Sequence, residues 1–252
     1  TLDRAGDELR TSRGFFQTNT VSARLSRLQA VRFKQSILRQ WLHLSTVQAL
    51  LASSAADDQQ NNDLVLMPVI PERQALSSMQ AFVSWLPETS PKLQPIPVSN
   101  RWYYMRNMVL GHLTLLVLPA VLASVFWLHV SWWLWLVLAG LIWLVVMALQ
   151  GQYAATTAAI AIAPPKQLII QVGEMWTRQR YFVRKKDIQA MTIKQSIWMK
   201  ARGVAHLEVH IRKGNSDQTV NSRYMAVDLA KQIMTWYQPL PSVPQEGDNH
   251  AA

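Results

Sequence analysis

The sequence predicts an α+β membrane protein, with two small β-rich domains, each closed by one helix, separated by a two-helix transmembrane hairpin. Three observations predict this. No Asp, Glu, Lys or Arg occurs between Arg106 and Lys166, where a soluble helix pair would carry a charged face. The segment Gln29-Ala30-Val31-Arg32-Phe33-Lys34-Gln35-Ser36-Ile37 returns 160 positions later as Gln189-Ala190-Met191-Thr192-Ile193-Lys194-Gln195-Ser196-Ile197, with six identities. Each copy sits among alternating apolar and polar residues and ends in an amphipathic helix close to a Trp, Trp85 or Trp236.

The hairpin comes first because it fixes everything else. Residues 109–128 make 20 positions, about 30 Å of helix. Residues 132–149 make 18, about 27 Å. The turn at His129-Val130-Ser131 is too short to leave the second flank on the far side, so both flanks share one compartment. Arg101 and Arg106 before the hairpin and the basic residues after it place that compartment in the cytoplasm. Trp102, Tyr103, Tyr104, Trp127, Trp132 and Trp133 are expected as interface anchors. His112 near the interface is expected to snorkel and Pro119 to kink its helix.

Residues 1–86 form the first β-domain, whose opening reads as part of a longer chain because Thr1 already begins patterned sequence. Gly14 is expected at a turn, Leu28 to Phe33 as a half-buried strand, and the apolar run from Leu42 to Leu51 as strand or helix. Residues 53–62 form a polar loop. Pro68 and Pro71 are expected to stop the strand begun at Leu64, and Pro71-Glu72 to open a helix with Leu76, Met79, Val83 and Leu86 on one face. The prolines of 87–100 predict a stiff extended tether, on which the first domain can move. Past the 101–150 hairpin unit, 153–238 form the second domain. Residues 153–163 could prolong the second span or start the sheet. Leu168 to Ile170 lead to a turn at Gly173, Leu207, Val209 and Ile211 alternate with polar residues before a turn at Gly214-Asn215, and Ala226, Ala230, Ile233 and Tyr237 line the closing helix. Residues 239–252 read as a disordered polar tail.

The net charge of +10 divides into +4 before the hairpin and +6 after it, too dilute for a nucleic-acid arm and suited to an anionic lipid surface. The chain has no Cys, which excludes disulfides and thiolate chemistry and fits a reducing compartment. His43, His206 and His210 lack metal-ligand spacing, and there is no phosphate loop, nucleophile elbow or paired acid. No cofactor, metal or catalytic residue is expected, and the protein is not read as an enzyme.

A β-domain closed by one helix, read twice around a hairpin with the Gln-x₅-Gln-Ser core, resembles the bacterial pleckstrin-homology (PH)-like membrane proteins of the YdbS/YdbT type. The resemblance rests on Gly14 to Ile37 and Leu42 to Val47, and on Gly173 to Ile197 and Val204 to Leu207. His43 departs from it where Gly203 keeps the usual Gly. It implies two PH-like β-barrels, each a seven-stranded, partly open barrel of two sheets with its helix plugging one end, and a chain that corresponds to the C-terminal half of a YdbT-like protein. It also implies a multi-pass protein of the bacterial cell membrane, homo-oligomeric or in complex with a smaller YdbS-like subunit, and linked to tolerance of membrane-active antimicrobial peptides. The function read from this is a non-enzymatic binding and assembly module. The alternative is a transporter or exporter subunit whose hairpin lines a path.

Two residue sets are candidate sites. Gln29, Lys34, Gln35, Gln189, Lys194 and Gln195 recur in both copies. They either contact a partner or ligand, or satisfy backbone groups and solvent. Arg178, Arg180, Arg184, Lys185 and Lys186 form the densest basic run, and either grip anionic headgroups or mark topology and solvated charge.

Overall fold

The computed structural model describes residues 2–13, 19–52, 64–126, 133–213 and 216–238. The expected turns at Gly14, His129-Val130-Ser131 and Gly214-Asn215, the 53–62 loop, Trp127, Trp132 and the 239–252 tail lie outside them.

The first copy begins with a three-stranded antiparallel sheet of β1 (Leu2–Ala5), β2 (Glu8–Arg13) and β3 (Asn19–Arg24). Then come β4 (Leu28–Gln35), a short helix α1 (Ile37–Trp41), β5 (Leu44–Leu51), β6 (Leu64–Pro71) and the closing helix α2 (Glu72–Phe82). After the two-residue β7 (Gln94–Pro95), the first long helix runs as α3 (Val98–His112), a π-helical segment Leu113–Val117 and α4 (Leu118–Phe126). The second long helix is α5 (Trp133–Thr157). The second copy follows as β8 (Ala159–Ala163), β9 (Gln167–Glu174), β10 (Thr177–Arg184), β11 (Ile188–Lys194), α6 (Ile197–Ala201), β12 (Val204–Lys213), β13 (Ser216–Ala226) and α7 (Val227–Tyr237).

The repeat is a repeat of hydrogen-bond register as well as of sequence. β4 pairs with β5 as Leu28↔Leu51, Ala30↔Leu50 and Lys34↔Thr46, skipping Gln29. β11 pairs with β12 as Ile188↔Ile211, Ala190↔His210 and Lys194↔His206, skipping Gln189. Both copies therefore carry a bulge at the same Gln, which turns one side chain out of the alternation.

The copies are not separate barrels. The central sheet has seven strands in the order β6-β5-β4-β10-β9-β8-β7, so the last three strands of the first copy continue into the first three of the second. Period-2 alternation gives this sheet two apolar faces. On one, Val31, Val47, Ala49, Ile169 and Phe182 pack with Ala75 and Met79 of α2. On the other, Ala30, Leu50, Leu168, Ile170 and Val183 pack with Val209 and Ile211 of the β11-β12-β13 sheet and with Ala230 and Ile233 of α7. Neither copy closes on itself, and each contributes six strands among the described residues rather than seven.

Several expectations change. β6 runs through Pro68 to Pro71, because as the edge strand it can lose an outward N–H without losing a ladder bond. Gly173 lies inside β9, and the turn is Met175-Trp176, both at positive φ. A Cβ at Gly173 would stand 2.9 Å from the Cβ of Thr157, so this Gly lets β9 lie against the end of α5. The proline segment is docked rather than free: Gln94 and Pro95 pair with β8, and the N–H of buried Ile96 donates to the Ala158 carbonyl. Residues 153–163 do both things the sequence allowed, α5 ending at Thr157 and β8 starting at Ala159.

Two helices, Val98–Val125 and Leu134–Thr157, are long and apolar enough to cross a membrane. They run past the expected spans, so the lower turns of each stand clear of the apolar block and pack on the domains. They meet closely at Gly151, where a Cβ would lie 2.7 Å from the Met105 Cα, and at Gly140, against Val117, the close approach that small residues permit between spans. The π-helical turn ends at Val117, two residues before Pro119, and the Thr114 hydroxyl donates to the Leu110 carbonyl. The imidazole Nδ1 of His112 is 2.8 Å from the Met108 carbonyl oxygen, and its ring lies edge-on to Trp143.

Candidate functional site

The chemistry-bearing residues collect at the seam, where β4 and β10 pair as Gln35↔Arg178, Lys34↔Gln179, Phe33↔Arg180, Arg32↔Tyr181 and Val31↔Phe182. The basic run proves to be a central strand and the turn after it, and Arg178, Arg180 and Arg184 fall at alternate positions on one face of that strand. Arg178, Arg180 and Phe182 line a cleft of about 740 Å³ beside the start of α2, together with Phe33, Glu72 and Ser90.

Arg178 ties three elements together. Its Nε donates to Gln35 Oε1 at 2.7 Å and its Nη2 to both Glu72 carboxylate oxygens at 3.0 and 3.2 Å. Gln35 in turn donates to Ser45 Oγ at 2.9 Å and to the Leu44 carbonyl at 3.2 Å. Arg180 donates twice to Gln171 Oε1, at 2.9 and 2.7 Å, and once to Ser90 Oγ at 3.2 Å. Burial, and then the charge of Arg178, lower its pKa below the ordinary arginine value, while Glu72 opposes that. On the opposite face Arg32 donates to Gln48 Oε1 and reaches the Tyr181 hydroxyl. Phe33 and Phe182 meet edge to face across the seam, with centroids 5.1 Å apart.

The remaining candidates separate. Arg184 pairs with Asp187, donates to the Leu28 carbonyl at 2.7 Å and stacks on Trp85. Lys185 lies over Trp236, and Lys186 is exposed. Residues 184–186 sit at the end of β10 remote from the hairpin. The eight residues of β10, roughly 25 Å long, run from beside the Met175-Trp176 turn, which lies against Tyr153 of α5, to Arg184 at its far end. Lys34 is exposed, Gln29 and Gln189 sit at the bulges, and Lys194 bridges to Glu208 at 2.7 Å. Gln195 donates to the Val204 carbonyl as Gln35 does to Leu44; the backbone-satisfying role is thus common to both copies.

The anchors are also redistributed. Trp102 is exposed, but Tyr103 is buried against Trp198 and Tyr224. The Tyr104 hydroxyl donates to the Arg223 carbonyl at 2.9 Å. These two tyrosines fix α3 to the second copy rather than lying free at a headgroup belt. Trp133 starts α5.

The sequence reading missed an apolar surface at the foot of the hairpin. On α1 and just after it, Leu38, Trp41 and Leu42 are 66%, 80% and 61% exposed. Ile197 on α6, 160 positions from Ile37, is 92% exposed. α1 is held to α5 by Gln40, whose Nε2 donates to the Tyr153 hydroxyl at 2.7 Å and to the Trp176 carbonyl at 3.2 Å. α6 is held to α3 through Trp198, which lies against Tyr103 and under Arg106. The signal available was the repeated Ser-Ile that opens both short helices.

No group of His, Cys, Asp and Glu among the described residues could hold a metal ion. His206 accepts from the Tyr224 backbone N–H at 3.0 Å, and His210 lies 3.2 Å from the Thr219 hydroxyl. The seam offers guanidinium donors and apolar surface.

Residues 3–77 and 113–240 both match the bacterial PH domain family, and together they make up most of the chain. The chain belongs to this family. The bacterial PH domains of this protein are thus repeated units, and the second match takes in the second long helix as well as the β8–β13 copy. No curated protein and no solved structure matches the chain.

Proposed function

We propose that this bacterial PH domain protein is a non-enzymatic binding and assembly module of the bacterial cell membrane, of the YdbT type. Both copies lie on the cytoplasmic side, and the hairpin fixes their height. The observation that supports it most is the β4–β10 seam, which joins the copies into one platform and aligns the apolar turn helices α1 and α6 beside the feet of α5 and α3. Leu38, Trp41, Leu42 and Ile197 then dip into the bilayer interface, where partly buried aromatic and aliphatic side chains are stable. Lys186, at the other end of β10, stays in water. A smaller YdbS-like subunit and a part in tolerance of membrane-active peptides fit the same reading through the family resemblance.

The absence of cysteine makes the test direct. Trp41→Cys and Lys186→Cys are each labelled with an environment-sensitive dye in the full chain, in liposomes carrying a shallow spin-labelled lipid. Strong quenching at position 41 and little at 186 is the expected result. Equal quenching at the two positions, or quenching at 186 alone, rejects the proposed placement.

A further inference from the structure

The internal repeat leaves two strand edges without a partner among the described residues. Within the chain, the outer edge of β4 is taken by the outer edge of β10. The equivalent of β4 is β11, an edge strand, and the equivalent of β10 is β3, also an edge strand. The same residue types show the difference. Ala30 is fully buried and Gln35 is 4% exposed, whereas Ala190 and Gln195 are exposed. Arg32 is buried and its equivalent Thr192 is exposed.

We infer that β11 pairs with the β3 edge of a second copy of this chain, in the register that β4 and β10 use within one chain. The inference rests on the assembly reading and names its partner. Moving each observed pair by 160 positions gives the expected intermolecular register: Lys34↔Gln179 becomes Lys194↔Asn19, Val31↔Phe182 becomes Met191↔Ser22, and Ala30↔Val183 becomes Ala190↔Ala23. A long unpaired edge is a template for strand addition. Here the chain itself supplies both the template and a worked example of the pairing.

Two features favour a second copy over an unrelated strand. β4 and β11 share their bulge position and their register to the next strand, so they present edges of the same geometry. Second, the move from one copy to the next keeps the membrane side common, since α1 is tied to the foot of α5 and α6 to the foot of α3. Repeating that move sets chain after chain side by side with every hairpin in one bilayer. Such an interface is heterologous, and it closes into a ring where the rotation permits and otherwise continues.

The experiment uses matched cysteine pairs in the full chain in membranes. Lys34→Cys with Gln179→Cys tests the seam within one chain, and Asn19→Cys with Lys194→Cys tests the same register between chains. Mild oxidation is expected to crosslink the first pair intramolecularly and to convert the second into a ladder of multiples of the chain mass. Ala190→Arg, at a position exposed in the single chain, is expected to erase that ladder and to weaken self-association at least about tenfold by mass photometry in detergent, with thermal unfolding unchanged. A formed 34–179 link without a 19–194 ladder overturns this inference and leaves the seam standing. Failure of the 34–179 link removes the seam itself. A ladder unaffected by Ala190→Arg, or a crosslink from position 194 to a different protein, also overturns the inference.

Discussion

At the scale of single residues, the two copies solve one backbone problem with different side chains. His43 stands at φ +53° and Gly203 at φ +64°, each directly before the strand that follows its short helix. The reason is shared: the His43 carbonyl accepts the first N–H of α2, from Glu72, at 2.8 Å, and the Gly203 carbonyl accepts that of α7, from Val227, at 3.0 Å. Neither closing helix has a side-chain cap, so this left-handed carbonyl caps it instead. A residue with a Cβ pays roughly 1 kcal/mol for that conformation. His43→Gly is therefore expected to raise stability by about 0.5–1 kcal/mol and Gly203→Ala to lower it by about 1 kcal/mol, both read from denaturant midpoints. Opposite signs are the test; a loss in both would mean that His43 contributes a contact beyond its backbone.

His206 links stability to pH. Its Nδ1 accepts the Tyr224 N–H and so needs the neutral ring, and burial, with Arg223 second, holds its pKa below the ordinary 6.5. The unfolded chain then binds a proton that the folded chain resists, so this residue's stabilisation is complete above the unfolded value and declines as pH falls below about 6.5. The thermal midpoint is expected to drop as pH falls below about 6.5, and His206→Gln to flatten that part of the profile. An unchanged slope in the variant would assign the effect elsewhere.

At the scale of elements, what was legible followed local rules. The uncharged block, α2 after Pro71 and the apolar face of α7 each rest on residues close together in sequence, the 160-residue offset rests on a match between two short runs, and each stands in the structure. What was hidden depended on partners far apart in the chain. Arg178 and Arg180 read as headgroup contacts or solvated charge because nothing local says that β10 is a central strand, whose alternate positions must face α2. Gly173 read as a turn because Gly is a turn residue, yet its use is the absence of a Cβ beside Thr157. Pro68 read as a stop because an edge strand cannot be told from a central one without the sheet order. Tyr103 and Tyr104 have the composition of an interface belt and the surroundings of a packed core.

At the scale of the whole molecule, the seven-stranded sheet makes the two copies one mechanical body, and this separates it from two domains joined only by a proline tether. Ala30 and Leu50 of the first copy are fully buried in the second copy's core, and Ile169 and Phe182 of the second in the first copy's core. A protease site placed between Glu88 and Thr89, both exposed, cuts the covalent link and leaves residues 1–88 without a transmembrane helix. In detergent, with an affinity tag on the C-terminus, the cut fragment is expected to stay bound to the remainder through purification. Phe182→Ala removes the ring that faces Phe33, at a cost of about 3–5 kcal/mol. Adding Arg178→Ala leaves Gln35 and Glu72 without the guanidinium that joins them. The cut double variant is expected to release the fragment, while the uncut double variant remains membrane-bound through its hairpin. Release of residues 1–88 from the cut unsubstituted protein would show instead that the tether alone holds the copies together.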